Sequence, residues 1–270
     1  MSKPLVDLMN RAAIAAAEVI LEVYHRQVVA MEKADGSPVT EADQRAEAII
    51  LDYLAETGLP VLAEESVAAG RIPELGERYF VVDPLDGTKE FLKRNGEFTV
   101  NIAYCESGHP ISGVVLAPAS GEIYWGGPAG AFAGQVLRGA IEGAAALQVT
   151  ETEHPLRIVA SRSHGHAALA RPHLTPAVAE DVSVPSSPKF CLLAKGAPQL
   201  YPPFTPTSEW DTAAGQAVLQ AAGGVVLGMD GLPLTCGHPE DRFLNAWFVA
   251  AANEKLALLA LAEMLRFAET

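Results

Sequence analysis

The sequence predicts a mixed α/β protein in two parts, an α+β part over residues 1–152 and an α/β part over residues 153–270. Three observations carry this. Two stretches with apolar residues at helical spacing open the chain. Between about residues 98 and 149, short strand-like runs follow one another with turn signals between them, which implies an antiparallel meander. From Leu156 onward, strand-like and helical stretches alternate. A chain of 270 residues that is 49% hydrophobic has enough apolar material for a large core.

The first helix is expected over residues 4 to about 27, with Leu5, Leu8, Met9, Ala12, Ile20 and Val23 inward. Ala34-Asp35-Gly36-Ser37-Pro38 breaks it, and Thr40 starts a second helix reaching about residue 56. Thr40-x-x-Asp43 has the form of a capping box, so Asp43 has a structural role open to it: accepting from backbone N–H groups of the first turn. Residues 61–63 read as a short strand that runs into Glu64-Glu65, which is either a solvated strand end or a source of metal ligands. Residues 79–82 read as a buried strand. The meander follows at 98–105, 111–116 and 122–125, with 132–135 and 145–149 as further strands.

In the second part, strands are expected at 157–160 and 182–184, and helices at 167–173 and 189–194. Glu209 opens a small-residue helix that stops at Gly223-Gly224. Asp211, in its first turn, has the plain reading of an N-terminal dipole partner. A last strand over 246–251 leads to Asn253, an N-cap, and a final helix over 254–268.

The formal charge of −14, from 33 acids against 19 bases without a basic cluster, argues against a nucleic-acid polymer as partner. A small anionic substrate fits if metals supply the positive charge. Cys105, Cys191 and Cys236 are odd in number and lack metal-type spacing, so they read as reduced thiols in a cytosolic protein. Asp7, Arg11, Glu18 and Glu22 interrupt the apolar N-terminus, which excludes a secretory signal there. No run of about 18 apolar residues occurs, so a soluble protein without a transmembrane segment is expected.

The most informative stretch is Asp83-Pro84-Leu85-Asp86-Gly87-Thr88. It delivers two carboxylates into a Pro- and Gly-marked turn, with the Leu85 carbonyl between them and the Gly87 and Thr88 N–H groups after them. Mg²⁺ takes oxygen ligands and shares its shell between a few carboxylates, waters and substrate phosphate. The plainer alternative is an Asp-rich surface turn. An EF-hand loop fits less well, because its alternating acids and closing Glu are missing.

Together, Glu64-Glu65-Ser66, the run from Val82 through Phe91 and Trp210-Asp211-Thr212-Ala213-Ala214-Gly215 resemble the inositol monophosphatase-like superfamily of Mg²⁺-dependent, lithium-sensitive phosphatases. The resemblance implies a layered αβαβα sandwich of the inositol monophosphatase and fructose-bisphosphatase type. Thr88-Lys89-Glu90-Phe91, Asn95 through Ile102, Lys189 through Ala194 and Gln199 through Pro202 are similar to its bacterial 3'(2'),5'-bisphosphate nucleotidase branch. That implies removal of the 3'-phosphate from adenosine 3',5'-bisphosphate to leave AMP, in sulfur assimilation, with the sulfated nucleotide PAPS as a further expected substrate.

The resemblance also assigns roles. Glu64, Asp83, Asp86, Asp211 and the Leu85 carbonyl become metal ligands for roughly two or three Mg²⁺ ions. Asp43 pairs with Thr88 to activate a water. Substrate contacts fall on Glu64, Leu85, Asp86, Gly87, Thr88 and Asp211, with Ser186 and Lys189 for the second phosphate; the plain reading of Lys189 is a solvated lysine. One departure weakens the nucleotide preference: relatives commonly carry an Arg after the position of Tyr201, where this chain reads Pro202-Pro203-Phe204. The alternatives are an inositol monophosphatase or broad sugar-phosphate phosphatase, and a silent metal- or phosphate-binding protein. A cytoplasmic location, peripheral contact with the inner membrane surface and a homodimer are expectations of the same kind.

Overall fold

The computed structural model describes residues 3–26, 30–33, 36–150, 156–160, 181–183, 188–196, 198–203 and 205–268. Helix α1 (Lys3–Tyr24) buries Leu8, Met9, Ala12, Ile20 and Val23 along one face, as its periodicity predicts. It ends at Tyr24, where the Arg94 guanidinium donates to the Tyr24 and Arg26 carbonyls. Cationic donors at a helix C-terminus satisfy carbonyls that have no partner within the helix. Two short strands, β1 (Met31–Glu32) and β2 (Pro38–Val39), then pair as an antiparallel ribbon. Thr40 caps helix α2 (Glu41–Ala55) through the expected capping box.

Strand β3 (Val61–Ala63) leads into helix α3 (Glu64–Ala68), so the acidic pair opens a short helix and not a loop. Strand β4 (Arg78–Asp86), helix α4 (Thr88–Leu92) and strands β5 (Thr99–Glu106), β6 (His109–Ala117), β7 (Glu122–Gly127), β8 (Gly130–Leu137) and β9 (Ala140–Leu147) follow. These strands form one seven-stranded sheet in chain order from β3 to β9, parallel only between β3 and β4. The antiparallel meander is therefore present. Its last strand begins at Ala140 and not near 145, because Arg138 and Gly139 turn the chain with φ of 53° and 78°. Positive φ at both central residues makes a tight hairpin whose twist matches the strands.

The second half supplies β10 (Ile158–Ala160), β11 (Asp181–Ser183), helix α5 (Pro188–Ala194), β12 (Leu200–Tyr201), β13 (Thr207–Ser208), helix α6 (Glu209–Ala221), β14 (Val225–Gly228), β15 (Leu244–Asn245), β16 (Phe248–Ala251) and helix α7 (Glu254–Ala268). A mixed sheet runs in the order β11-β10-β12-β16-β14. The helix expected over 167–173, residue Val184 and the candidate Ser186 lie outside the described residues.

Strand alternation divides the apolar residues among three cores. On β5, Val100, Ile102 and Tyr104 face α1 and α2, whereas Ala103 and Cys105 face α5 and α6. The third core lies between the second sheet and α7. The layers thus run α, β, α, β, α, as the resemblance implies. Helix α6 belongs to the second half of the chain but rests directly on the first sheet. A Cβ added at Gly113 would come within 2.2 Å of the Ala214 carbonyl oxygen, and one at Gly126 within 2.8 Å of Val218 Cα. That close approach brings the start of α6 over β4. Cys105, Cys191 and Cys236 are buried and free. Among the described residues no helix is long and apolar enough to cross a membrane.

Candidate active site

On β4, Tyr79 and Val81 point into the core that contains α6, and alternation sends Asp83 the same way. Asp83 is only 1% exposed. Its Oδ1 accepts from Leu85 N at 3.0 Å, and the ladder with β5 shifts register before resuming at Asp86 opposite Thr99. The expected turn is thus an irregularity within a strand. Pro84 has no N–H to give to the ladder, which accounts for the break. The chain turns at Gly87, where φ is 94° and a Cβ would lie 2.9 Å from the Glu97 carbonyl oxygen. Only glycine fits there. Helix α4 starts at once, without a side-chain cap on its first N–H groups.

From the opposite side, Ser208 N donates to Asp211 Oδ2 at 2.8 Å. Asp211 therefore has the plain helix-start role, and its location also brings it to the two acids of β4. Carboxylate oxygens of Asp83, Asp86 and Asp211 all lie within 4.8 Å of one another. Burial pushes Asp83 well above the usual carboxylate range, and the neighbouring Glu64, Asp86 and Asp211 add to the shift. Asp211 is raised for the same reasons, burial first and Asp86 next. Three carboxylates this close repel when ionised, so they hold protons or a cation.

Glu64 stands at the edge of this cluster. Its Oε1 receives Lys33 Nζ at 2.7 Å, and the same ammonium reaches Glu65 Oε1 at 2.6 Å. Burial raises Glu64, with Lys33 opposing the shift and Asp83 as a hydrogen-bond partner. Glu65 is pushed up to about 7 by burial. Burial alone would lower Lys33, but the two carboxylates win and hold its ammonium above its ordinary value. The solvated strand end does not occur.

Asp43 caps α2 and is also paired with Thr88, as the resemblance implies. Its Oδ2 accepts from Thr40 N at 2.8 Å and Thr40 Oγ1 at 2.7 Å, while its Oδ1 accepts from Thr88 Oγ1 at 2.9 Å. Burial raises its carboxyl above the ordinary value, against the pull of the Thr40 and Thr88 donors. The Leu85 carbonyl oxygen lies 3.4 Å from Thr88 Oγ1.

Lys189 is 2% exposed, with Nζ 4.9 Å from the Tyr201 ring centroid. The solvated lysine is therefore corrected: burial lowers its pKa to about 8, and the Asp86 carboxylate opposes that shift. Its electrostatic contact with Asp86 connects it to the acidic cluster.

Three participants were missed from sequence. Lys33 carries no motif. Glu47 lies four residues after Asp43 on α2, the same helical face, which was a legible signal. It is 3% exposed and accepts from Glu65 N at 2.8 Å and Ser66 Oγ at 2.6 Å, which fixes the start of α3. Thr99, opposite Asp86, has a buried hydroxyl without a hydrogen-bond partner among the described residues.

The crowded carboxylates and this buried hydroxyl fit a hard, hydrated divalent cation: every donor is oxygen, and carboxylate oxygens from three residues lie within 4.8 Å of one another.

A model of the inositol monophosphatase family matches residues 2–269. The 3'(2'),5'-bisphosphate nucleotidase CysQ of Escherichia coli K12 is 42% identical over 248 residues, covering 90% of this chain and 98% of that protein. The protein of the same name from Buchnera aphidicola is 37% identical, covering 93% and 94%. Among solved structures, CysQ from Bacteroides thetaiotaomicron, a bacterial member of the inositol monophosphatase family, superposes with a TM-score of 0.78 at 37% identity, over 93% of this chain and 98% of that one. The Thermotoga maritima IMPase, at 20% identity and a TM-score of 0.78 over 98% of both chains, shares the fold.

Proposed function

The chain belongs to the inositol monophosphatase family, and from that premise we propose that it is a Mg²⁺-dependent 3'(2'),5'-bisphosphate nucleotidase. It removes the 3'-phosphate of adenosine 3',5'-bisphosphate, and that of PAPS, in sulfur assimilation. The observation that carries this reading is the convergence of Asp83, Asp86 and Asp211 beside the Asp43–Thr88 pair. The CysQ relatives supply the substrate class.

Asp83, Asp86, Asp211, Glu64 and the Leu85 carbonyl hold the metals. When bound, Mg²⁺ supplies Lewis-acid neutralisation of phosphoryl charge and acidifies a water. Thr88 orients the attacking water, and Asp43 accepts the proton through the Thr88 hydroxyl. The uncapped N–H groups of Gly87 and Thr88 receive phosphate oxygens. Lys189, reached from α5, contacts the second phosphate, with Ser186 as its neighbour in sequence. Positioning and electrostatics supply most of the rate, since phosphoryl transfer leaves the protein little covalent work.

A division near residue 152 assigns Asp43, Glu64, Asp83, Asp86 and Thr88 to the first part and Lys189 and Asp211 to the second, so the site needs both. Three free buried cysteines support a reducing, cytoplasmic location. The test is phosphate release from adenosine 3',5'-bisphosphate with Mg²⁺ and with chelator, on wild type, Asp83→Asn and Asp211→Asn. Each variant removes a formal charge from the metal site and loses nearly all activity while keeping its fold. Near-normal turnover of either variant at low Mg²⁺ contradicts the assignment.

A further inference from the structure

Thr99 is 2% exposed, and its hydroxyl has no hydrogen-bond partner among the described residues. It lies directly opposite Asp86 in the β4–β5 ladder, and Asn101, two residues on, lies opposite Asp83. Alternation fixes its direction. Val100 and Ile102 face the α1–α2 core, whereas Ala103 and Cys105 face α6, so Thr99 faces α6 as well. The start of α6 carries Asp211. The orphaned hydroxyl is thus on the side of β5 where the three carboxylates converge.

A buried hydroxyl without a partner destabilises the protein, since it has given up its bonds to water. Valine has nearly the same shape and β-propensity and would remove that cost. A partner present only in the working protein removes it too. Mg²⁺ dehydrates reluctantly and keeps several waters even when carboxylates bind it. Those waters need hydrogen-bond partners on the buried side of the site, where Asp83 and Thr99 lie.

We infer that Thr99 is a positioning residue of the metal site, its hydroxyl a hydrogen-bond partner for the hydration shell of the cation held by Asp83, Asp86 and Asp211. The inference rests on the metal reading above and extends it to a residue outside the acidic cluster. Thr99 trades stability in the metal-free protein for affinity in the loaded one.

The experiment compares wild type, Thr99→Val and Thr99→Ser. Mg²⁺ affinity is measured by calorimetric titration of the full chain, and thermal stability is measured in excess chelator. Thr99→Val should bind Mg²⁺ about 5- to 10-fold more weakly, the worth of one hydrogen bond. Its metal-free Tm should equal or exceed that of wild type, and Thr99→Ser should restore the affinity. A hydroxyl with a structural partner predicts the opposite, a lower metal-free Tm. Unchanged Mg²⁺ affinity in Thr99→Val, or a fall in its metal-free Tm, overturns the inference. The metal reading is checked separately: it fails if wild type binds no Mg²⁺, or if Asp211→Asn binds it as tightly as wild type.

Discussion

Thr88 Oγ1 donates to Asp43 Oδ1 at 2.9 Å, while the other oxygen of the same carboxylate takes both donors of Thr40. One side chain therefore closes the first turn of α2 and reaches the start of α4, 45 residues away. The helix cap makes this carboxylate immobile, and an immobile acceptor is what water activation requires.

Asp43→Asn separates the two duties. An amide oxygen still caps Thr40, but the group at Thr88 has lost its charge and its ability to take a proton. We predict a fall in kcat of about 100-fold or more, with KM little changed. Asp43→Ala should lose the cap as well, at a cost of about 0.5–2 kcal/mol. Kinetics and thermal melts on both variants check this; normal kcat in Asp43→Asn would leave Asp43 a cap alone.

The raised carboxyls of Asp83, Asp211 and Glu64 give the metal-free protein a defined pH response. A carboxyl whose folded pKa exceeds its unfolded value binds more protons in the native state. Its contribution is therefore full below the ordinary carboxylate range and is lost as pH rises through the folded value. In chelator, Tm should fall as pH rises above about 4, the ordinary carboxylate value. Saturating Mg²⁺ should flatten that slope, because the cation replaces the protons. Melts across pH with and without Mg²⁺ test it, and identical slopes would contradict it.

Lys189→Met keeps the volume of a buried side chain and removes its charge. Activity on a bisphosphate nucleotide should drop roughly 10- to 150-fold, the worth of a charge-assisted contact. A monophosphate substrate should be little affected. Equal losses on both would make Lys189 a structural counter-ion to Asp86.

Glu47 makes two bonds that set the direction of α3, and α3 begins with Glu64. Glu47→Ala should destabilise the protein by about 3 kcal/mol, since bonds to a charged group are worth about 1.5–3 kcal/mol each. It should also raise the Mg²⁺ concentration for half-maximal activity. A lower Tm with an unchanged Mg²⁺ requirement would confine Glu47 to the fold.

The sequence was most legible where a motif and a period coincide. The meander, the two opening helices and the start of α6 follow from alternation, helical spacing and turn residues, and the Asp83–Thr88 stretch supplies two of the three carboxylates that cluster. Distance in sequence hid the rest. Lys33 meets Glu64 and Glu65 from 31 and 32 residues away in sequence, which no local pattern encodes. The burial of Lys189 comes from packing against Tyr201, so its position in a first helical turn was no guide. Asp43 shows a third case, in which spacing predicted a cap and the cap is present, but spacing could not say that the second oxygen was committed elsewhere.

The acidic cluster is proposed to serve a bisphosphate nucleotidase. The most direct measurement is kcat/KM for phosphate release with Mg²⁺, on adenosine 3',5'-bisphosphate and on inositol 1-phosphate side by side. A clear preference for the bisphosphate is expected, abolished by chelator, with a margin set by Lys189 in the absence of an Arg following Tyr201. A preference for inositol 1-phosphate, or no phosphate release from the bisphosphate, would contradict it.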